Sequence, residues 1–583
     1  MSPEARVSWV SGPVLRARAI APFHLQESIL VGPDGLIGEV VQLSGQEIVA
    51  QVYEDTTGLK PGTIVRGTGQ ALSARLGPGL LGHLFDGLLR PLEPATDPFI
   101  RPRGSGRAAQ RHAFEPTVRV GDVVRSGERL GLVGTAPRQS CLIPPGHGGT
   151  VLSVADPGNY TDAEPIATLR GADGASCLLA LAHAWPIRKP RPIESRLPPS
   201  APMITGQRLL DTLFPVARGG RAAMPGGFGT GKTILQEAIA KWCDADVIVY
   251  VGCGERGNEM AEVLDEFPSL EDPRSARPLM ERTVIIANAS NMPVAAREAS
   301  VYTAITVAEY FRDQGLNVAL MADSTSRWAE ALREVSGRLG ELPGEAGYPA
   351  YLSSRLAEFY ERAGRVRTLG GAEGSVTLIG AISPPAGDFS EPVTMHTRRC
   401  VRTLWALDRD RAQARFFPAV HPLQSYSADA AALAPWWQSR GNPRWSEQRT
   451  TVLELLTEQV HLDRMARILG KDALAPAQQL TLLCAELACE AILRQSSFSP
   501  VDRYCSPERQ SAMLGIVLRF IELAHAALTR GATIESIAAL PIRAVVQRIG
   551  EEYGEDRIAQ IAALSGRLDS EFATLAAEPA RAS

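Results

Sequence analysis

The chain has 583 residues, of which 45% are hydrophobic and 21% charged, with a formal net charge of −4. This length indicates about three or four domains, and the composition is typical of a globular chain. The slight acidity gives no basic footprint for nucleic acid, and no uninterrupted apolar run reaches membrane-spanning length. The eight cysteines form no C-x-x-C pair, so we expect neither a zinc site nor a disulfide scaffold. This cysteine usage suits a protein of the reducing cytoplasm.

Short apolar runs separated by Gly, Pro or Asp turns predict an all-β unit at the N-terminus. The runs include SILVG, LIGEVVQL and EIVAQVY. Closely spaced strands of this kind favour a small barrel that protects its own edges. We place this barrel at residues 1–72. The apolar, glycine-punctuated stretch 73–109 is expected to pack on a later domain.

A second β-rich block occupies residues 110–185. Valines alternate with polar residues and the runs break at glycine, as in TVRVGDVVRSGERLGLVG. This pattern predicts a compact barrel of hairpins. The proline-dense, basic stretch WPIRKPRPIESRLPPSAP follows, and predicts a linker or an extended segment on a surface.

Residues 186–435 alternate between strands and helices. Continuous apolar strand candidates are VIVYVG, TVIIANA, NVALMAD and SVTLIGAIS. Such alternation predicts a parallel sheet with helices on both faces, which binds ligands at the carboxyl ends of its strands. Residues 436–583 instead have the apolar spacing of helices packed on helices, and predict a C-terminal helical domain.

The stretch 226–233, GGFGTGKT, fits the phosphate-binding pattern G-x-x-x-x-G-K-[ST]. Its glycines let backbone N–H groups approach phosphate oxygens, and the helical sequence after it directs a positive dipole end at the anion. Lys232 would contact the β- and γ-phosphates, and the Thr233 hydroxyl would ligate Mg²⁺. The alternative is a glycine-rich turn that matches by chance. The predicted nucleotide-binding residues of this loop are Gly226, Gly227, Phe228, Gly229, Thr230, Gly231, Lys232 and Thr233.

Polar side chains follow two of the predicted strands. Asp323 ends NVALMAD, where a buried carboxylate could organise the water shell of Mg²⁺. Glu255 after VIVYVG could hold an attacking water, and Arg256 could brace the γ-phosphate. A structural ion pair between these two residues is the alternative. Arg327 could clamp phosphate or pair with a carboxylate.

Two aromatic residues are candidates for the wall of a base pocket. Phe417 stands beside Phe416 and before a proline, and Phe498 lies in the polar loop QSSFSP. Exposed aromatic rings could sandwich a purine, although core packing is the commoner explanation for a single aromatic residue.

Long stretches of the chain resemble the catalytic A subunits of V-type and A-type rotary ATPases. Besides GGFGTGKT they include VGCGERGNEMAEVLDEFP, NVALMADSTSRWAEALREVSGRLGELPGEAGYPAYLSSRLAEFYERAGRV and SSFSPVDRYCSPERQ, and the resemblance spans nearly the whole chain. It implies an N-terminal β-barrel, an inserted β-rich bulge domain, a RecA-like P-loop nucleotide domain with a parallel sheet, and a C-terminal helical bundle.

The resemblance also implies roles for individual residues. Lys232 would stabilise the β- and γ-phosphates, Glu255 would activate or position the attacking water, and Arg256 would contact the γ-phosphate. Thr233, Glu259 and Asp323 would organise the metal, partly through water. Arg327 would contact the phosphates. Phe417 and Phe498 would line the adenine pocket.

The implied activity is hydrolysis or synthesis of ATP with Mg²⁺, coupled to rotation and to H⁺ or Na⁺ transport by a separate membrane sector. A neighbouring B subunit would complete each site with an arginine finger in an alternating hexamer. Other implied partners are central-stalk subunits of the D and F type and peripheral-stalk subunits of the E and G type, at the cytoplasmic face of a bacterial or archaeal plasma membrane. Thr230 replaces a cysteine common in eukaryotic members, which argues against disulfide control of the loop.

The sequence argues against three other functions. The total length and the insertion argue against a homohexameric type III secretion or flagellar export ATPase. The acidic balance argues against a nucleic-acid motor of RecA type. The intact Lys232, Thr233 and Glu255 argue against a non-catalytic nucleotide-binding protein of the same fold.

Overall fold

The structure is a computed structural model that describes residues 3–92, 110–134, 139–257, 267–272 and 275–577. Its first six strands are β1 (Glu4–Ser11), β2 (Val14–Ala19), β3 (Glu27–Val31), β4 (Leu36–Ser44), β5 (Glu47–Val52) and β6 (Ile64–Ala71). They close into a barrel in the order β1-β2-β5-β4-β3-β6. Alternate residues such as Val7, Leu15 and Ala17 fill its core, which confirms the predicted barrel.

Two short strands follow, β7 (Ser73–Leu76) and β8 (Leu84–Asp86). The bulge unit then contains β9 (Arg111–Pro116), β10 (Val123–Val124), β11 (Arg129–Val133), β12 (Gln139–Leu142), β13 (Gly149–Val154), β14 (Gly158–Thr161), β15 (Pro165–Arg170) and β16 (Ser176–Ala180). It forms two four-stranded sheets, in the orders β10-β13-β15-β16 and β12-β11-β9-β14, and not the single barrel of hairpins that we predicted. Both sheets contribute to one core, with Phe114 and Val133 on one side and Val151 and Leu169 on the other.

The nucleotide domain is built on one large sheet. The strands from residue 183 onwards are β17 (His183–Pro186), β18 (Ser195–Leu197), β19 (Arg221–Pro225), β20 (Val247–Cys253), β21 (Thr283–Asn288), β22 (Asn317–Asp323), β23 (Gly364–Arg367), β24 (Glu373–Ile382), β25 (Thr403–Leu404) and β26 (Tyr426–Ser427). All of them except β17 belong to this sheet, in which β18 pairs with β23 and β23 pairs with β24. The order is β26-β25-β19-β24-β22-β20-β21-β8, parallel from β25 to β8, and β17 pairs with β7 apart from it.

The predicted parallel sheet is therefore confirmed, and it also contains strands that the sequence pattern did not reveal, among them β19 and β8. The short strand β19 is central and leads directly into the glycine-rich loop, and β8 joins the sheet edge beside β21. The helices of this domain are α1 (Arg208–Leu213), α2 (Lys232–Trp242), α3 (Val294–Asp313), α4 (Thr325–Leu339), α5 (Leu352–Glu361), α6 (Pro392–Cys400) and α7 (Arg409–Gln413).

The C-terminal part is helical, as predicted. Its helices are α8 (Ala430–Ser439), α9 (Trp445–Leu469), α10 (Pro476–Ala488), α11 (Pro507–Thr529), α12 (Ile534–Ala538), α13 (Pro541–Gln547), α14 (Ile549–Glu552) and α15 (Ile558–Ala577), with a π-helical turn at Cys489–Leu493. Helix α8 runs across residue 435, and the domain limits given above remain predictions.

Among the described helices, α11 alone is long and apolar enough to cross a membrane by length and composition. Half of its most apolar window is buried inside the protein, and core helices pass the same test. Its residues Met513, Val517 and Phe520 belong to the core, and the ring centroid of Phe520 lies 5.2 Å from that of Phe572 in α15. In this structure α11 therefore packs as a core helix.

Contacts between the units include one at the bulge and one at the barrel. The bulge meets the turn between β23 and β24 at Gly127, where a Cβ would lie 2.6 Å from Leu369 Cβ, and at Gly370, where a Cβ would lie 2.3 Å from the Gly127 carbonyl oxygen. The guanidinium of Arg188, in the turn after β17, donates to Glu39 of the barrel and to Glu298 of α3, with shortest distances of 3.0 and 2.7 Å.

Candidate active site

The glycine-rich loop 226–233 begins after Pro225, the last residue of β19, and ends where α2 begins at Lys232. Gly229 and Gly231 have φ angles of +76° and +82°, a region that glycine enters without steric cost. The loop therefore turns its backbone inward immediately before the helix. The first N–H groups of α2 have no partner four residues earlier within the helix, so this end can bind an anion.

Lys232 lies inside this loop. Its Nζ donates to the carbonyl oxygens of Gly226 at 2.7 Å and Gly227 at 3.0 Å. The Thr230 hydroxyl donates to the Gly227 carbonyl at 2.8 Å, which closes the loop on itself. Thr233 is half-buried in the first turn of α2. The structure thus places a cation and a hydroxyl beside the same backbone cradle.

Carboxylates gather at the carboxyl ends of two neighbouring strands. Asp323 ends β22, is 4% exposed, and is aligned in register with Gly252 of β20. The Tyr250 hydroxyl donates to Asp323 Oδ2 at 3.2 Å. Burial, and then the negative charges of Asp323, Glu237 and Glu255, raise the pKa of Tyr250 well above its usual value. The register of β20 and β22 thus places Asp323 and the strand end before Glu255 at one edge of the sheet.

Two arginines predicted to contact phosphate lie at this same edge. The Arg256 guanidinium lies 5.4 Å from the ring centroid of Phe228, which is 83% exposed in the loop. Arg327 in α4 pairs with Glu330 at 2.9 Å, and its Cβ would lie 2.8 Å from a Cβ added at Gly254, just after β20. Arg327 therefore pairs with a carboxylate, which is one of the two predicted options, and its phosphate contact stays a prediction.

A pocket of about 470 Å³ opens on the other side of the loop. Phe417 and Phe498 both line it, 41% and 86% exposed. A Cβ added at Gly231 would lie 3.4 Å from the Phe417 ring, and the backbone N–H of Gln495 donates to the Phe417 carbonyl at 2.9 Å. Its neighbour Phe416 packs against the hydrophobic core instead. The structure thus brings together the two aromatic residues that the sequence placed 81 positions apart.

Several residues that line this region were not predicted from the sequence. Glu237 lies in α2, after the phosphate loop. The only sequence feature that could have pointed to it is a carboxylate one helical turn after Thr233. The other missed residues line the pocket: Arg415 stands close to Phe417 in the chain, Arg494, Gln495 and Asp502 stand close to Phe498, and Arg208 and Arg548 come from distant parts of the chain.

A metal site made by protein side chains alone is not present in the described part of the chain, where His, Cys, Asp and Glu form no group of three suited to an ion. Glu259, which the family resemblance assigned to the metal, lies outside the described residues. Thr233 and Asp323 remain, and few protein ligands are typical of Mg²⁺ that is held largely by water and phosphate.

Four family descriptions match the chain: the ATP synthase alpha/beta family nucleotide-binding domain at 206–427, its beta-barrel domain at 7–69, its barrel-sandwich domain at 107–188, and the C-terminal domain of V and A type ATP synthase at 434–538. The chain is 49% identical to the A subunit of the A-type ATP synthase of Desulfurococcus sp. (strain SY), over 98% of this chain and 99% of that protein. The corresponding protein of Methanopyrus kandleri is 48% identical, over 98% of each chain. The chain belongs to the family of A-type ATP synthase A subunits.

As a member of this family, the chain is a catalytic, nucleotide-binding component of a membrane-associated rotary ATPase complex. The assembled ATPase EscN of the enteropathogenic E. coli type III secretion system is also similar in structure. That match has a TM-score of 0.64 and covers 88% of this chain and 100% of EscN, but at 22% identity it shows a shared fold alone. The sequence relatives therefore decide between the rotary and the secretion ATPase.

Proposed function

We propose that the chain binds ATP with Mg²⁺ at the loop 226–233 and catalyses hydrolysis or synthesis of the bond to the γ-phosphate. The observation that carries this proposal is that the loop holding Lys232 and the strands that end at Asp323 and just before Glu255 lie at the carboxyl edge of one parallel sheet. A cation, a helix N-terminus and carboxylates at one sheet edge are the groups that phosphoryl transfer requires.

The phosphates would lie in the cradle formed by the loop backbone. Lys232 would exchange its bonds to the Gly226 and Gly227 carbonyls for bonds to β- and γ-phosphate oxygens. Arg256 and Arg327 would add positive charge at the γ-phosphate, where charge develops during transfer. For Arg327 this requires its pair with Glu330 to open or to be shared.

The residues that would hold Mg²⁺ are Thr233, through its hydroxyl, and Asp323, through water, with Glu259 as a further candidate from the sequence. The bound ion would neutralise charge on the β- and γ-phosphate oxygens. Its fit to this chain rests on Asp323, because that carboxylate is buried, receives a hydrogen bond from Tyr250 and sits among other negative charges. A divalent cation would relieve the repulsion in such a cluster.

Glu255 would orient and deprotonate the attacking water. It is half-buried and follows β20 at the carboxyl edge of the sheet, where the γ-phosphate would lie. A carboxylate here needs only to hold a water in line with the γ-phosphate, since positioning supplies most of the catalysis in this reaction class. The adenine ring would lie in the pocket between Phe417 and Phe498.

The complete assembly is proposed on the family alone. The partners would be B subunits in an alternating hexamer, each donating an arginine to this site, with stalk subunits of the D, F, E and G types. The hexamer would lie at the cytoplasmic face of the membrane, and rotation would drive or use H⁺ or Na⁺ transport. The limits 1–72, 110–185, 186–435 and 436–583 are our proposed domain boundaries.

The test is ATP hydrolysis by the purified complex carrying Glu255→Gln. The amide cannot accept a proton, so we expect kcat to fall by about 10²–10⁴-fold with little change in KM for ATP. Lys232→Ala should also nearly abolish turnover while the complex still assembles.

The matched control is Glu334→Gln in α4. Glu334 forms an exposed pair with Arg338 at 2.9 Å, so its removal should leave kcat within about twofold. Near-normal turnover by an assembled Glu255→Gln complex would show that Glu255 does not act on the water.

A further inference from the structure

Two of the largest fully buried side chains of the structure are arginines, Arg208 of α1 and Arg509 of α11. Arg208 is 1% exposed, and its guanidinium makes an ion pair with Asp502. The guanidinium also donates to the carbonyl of Arg494 and, at 3.3 Å, to that of Ile492. A nucleotide-domain helix is thereby tied to one short segment of the helical domain.

That segment, the Phe498 loop (residues 494–505), is held at both ends. Near its start, the Ser496 N–H donates to Asp502 Oδ2 at 2.8 Å. At its end, the Cys505 N–H donates to the Gly206 carbonyl at 3.0 Å. The ring of Phe498 lies between these anchors and projects into the pocket, 86% exposed. Asp502 thus closes the loop on itself while it neutralises Arg208.

The same anchor reaches the opposite wall of the pocket through Gln495. The Arg208 backbone N–H donates to Gln495 Oε1 at 2.7 Å, and Gln495 Nε2 donates to the carbonyls of Gly206 and Asp502, each at 2.9 Å. The Gln495 N–H in turn donates to the Phe417 carbonyl at 2.9 Å. One hydrogen-bonded unit therefore fixes the backbone positions from which both aromatic rings extend.

We propose that the ion pair between Arg208 and Asp502 positions the base pocket, by holding Phe498 opposite Phe417 so that a nucleobase stacks between the two rings. This inference rests on the proposed function, because it assigns the pocket to the base of the nucleotide. Arg208 and Asp502 are positioning residues that act through the aromatic rings. Stacking depends on the π-face that every base has, so the pair governs affinity for nucleotides in general and leaves the phosphate cradle unchanged.

The test uses the intact complex with Asp502→Asn. We measure KM for ATP and inhibition constants for GDP and for inorganic tripolyphosphate, a probe that has no base. Loss of one base–aromatic stack corresponds to a change of between about fivefold and about a hundredfold in affinity. We expect the constants for ATP and GDP to rise together within that range, kcat to change far less, and the constant for tripolyphosphate to stay unchanged.

Asp313→Asn is the matched control. Asp313 pairs with Arg191 at 2.6 Å, is almost as buried as Asp502, and lies on α3 outside the lining of the base pocket. It should lower thermal stability without changing the constants for ATP and GDP. Equal changes in both variants would overturn the proposal, because they would show a general effect of lost stability.

Three further results would also overturn it: an unchanged KM in an assembled Asp502→Asn complex, a parallel rise for tripolyphosphate, or a rise for ATP alone, which would indicate direct contact with the base edge. Since loss of one member of a buried ion pair can prevent assembly, Arg208→Lys is the second variant. It keeps the cation but not the fork that also reaches the Arg494 carbonyl, and should give an intermediate rise. A wild-type complex without ATPase activity would instead refute the proposed function.

Discussion

His183 in β17 is a half-buried group that the structure holds in its neutral form. Arg191 Nη1 lies 3.0 Å from His183 Nε2, so this ring nitrogen acts as the acceptor. The ring also lies 6.0 Å from that of Tyr310. Burial, then the charge of Arg191 and then that of His147, lowers the pKa of His183 to about 3. Protonation would place a second cation against Arg191.

Stability should therefore fall on acidification through this residue. The folded-state pKa of His183 lies below the ordinary value of 6.5, so the unfolded state binds the extra proton. The contribution is complete above about pH 6.5 and is lost towards pH 3, at about 1.4 kcal/mol per pH unit. His183→Gln, which still offers an acceptor to Arg191, should flatten the fall of the unfolding midpoint between about pH 6 and pH 4. His525→Gln on the exposed side of α11 should leave it unchanged, and an unaltered slope in His183→Gln would contradict the assignment.

Residues with a recognisable local sequence pattern were predictable, whereas residues whose partners are distant in the chain were not. Lys232 and Asp323 stand at fixed offsets from a glycine-rich loop and an apolar strand, so their place followed from the pattern. Nothing local distinguished Phe417 in the pocket from Phe416 in the core, and the resemblance supplied that choice. Arg208 and its partner Asp502 are 294 positions apart, and only the packed domains bring them together.

Among the elements, strand length decided what the sequence could predict. The apolar strands β20, β22 and β24 are continuous and were predicted, because a sheet buried on both faces requires such runs. The strand β19 has five residues, RAAMP, and lacks that signal although it is central. In the bulge, the alternation of valines correctly indicated strands, but alternation does not determine whether strands close into one barrel or divide into two sheets.

The packing of helix α11 in the core can be tested by substitution. If it is a core helix, Phe520→Ala should remove a buried ring that contacts Phe572 and should destabilise the helical domain by about 3–5 kcal/mol. The measurement is the denaturant midpoint of the transition reported by the helical domain. Glu522→Ala on the exposed side of the same helix should shift it by no more than about 0.5 kcal/mol. Equal shifts in the two variants would show that the Phe520 side of α11 is not packed.

In the whole molecule, Arg188 connects three parts that are distant in sequence: the barrel through Glu39, the segment after β17, and α3 through Glu298. The Tyr53 hydroxyl also donates to Glu39, so the carboxylate has a second partner. Burial disfavours the charged guanidinium, but Glu298, Tyr53 and Glu39 more than offset this and raise the pKa of Arg188. The barrel is thereby attached to the helix that runs beside the catalytic strands.

Arg188→Met should leave Glu39 and Glu298 buried without their cation, at a cost of about 3–5 kcal/mol. We expect the barrel to separate from the nucleotide domain at lower temperature, which is measured as an early transition in calorimetry and as faster proteolysis after β17. Arg66→Met removes an exposed pair with Glu4 at 3.3 Å and should cost no more than about 1 kcal/mol. A single, unshifted transition in Arg188→Met would refute this role.

The contact between Gly127 and Gly370 has a mechanical consequence. Backbone meets backbone there, because any Cβ at either position would collide with its neighbour. Side chains can change rotamer and absorb small displacements, whereas two peptide planes in direct contact cannot. We therefore expect any displacement of the β23–β24 turn to move the bulge directly, because no side chain lies between the two backbones to absorb it.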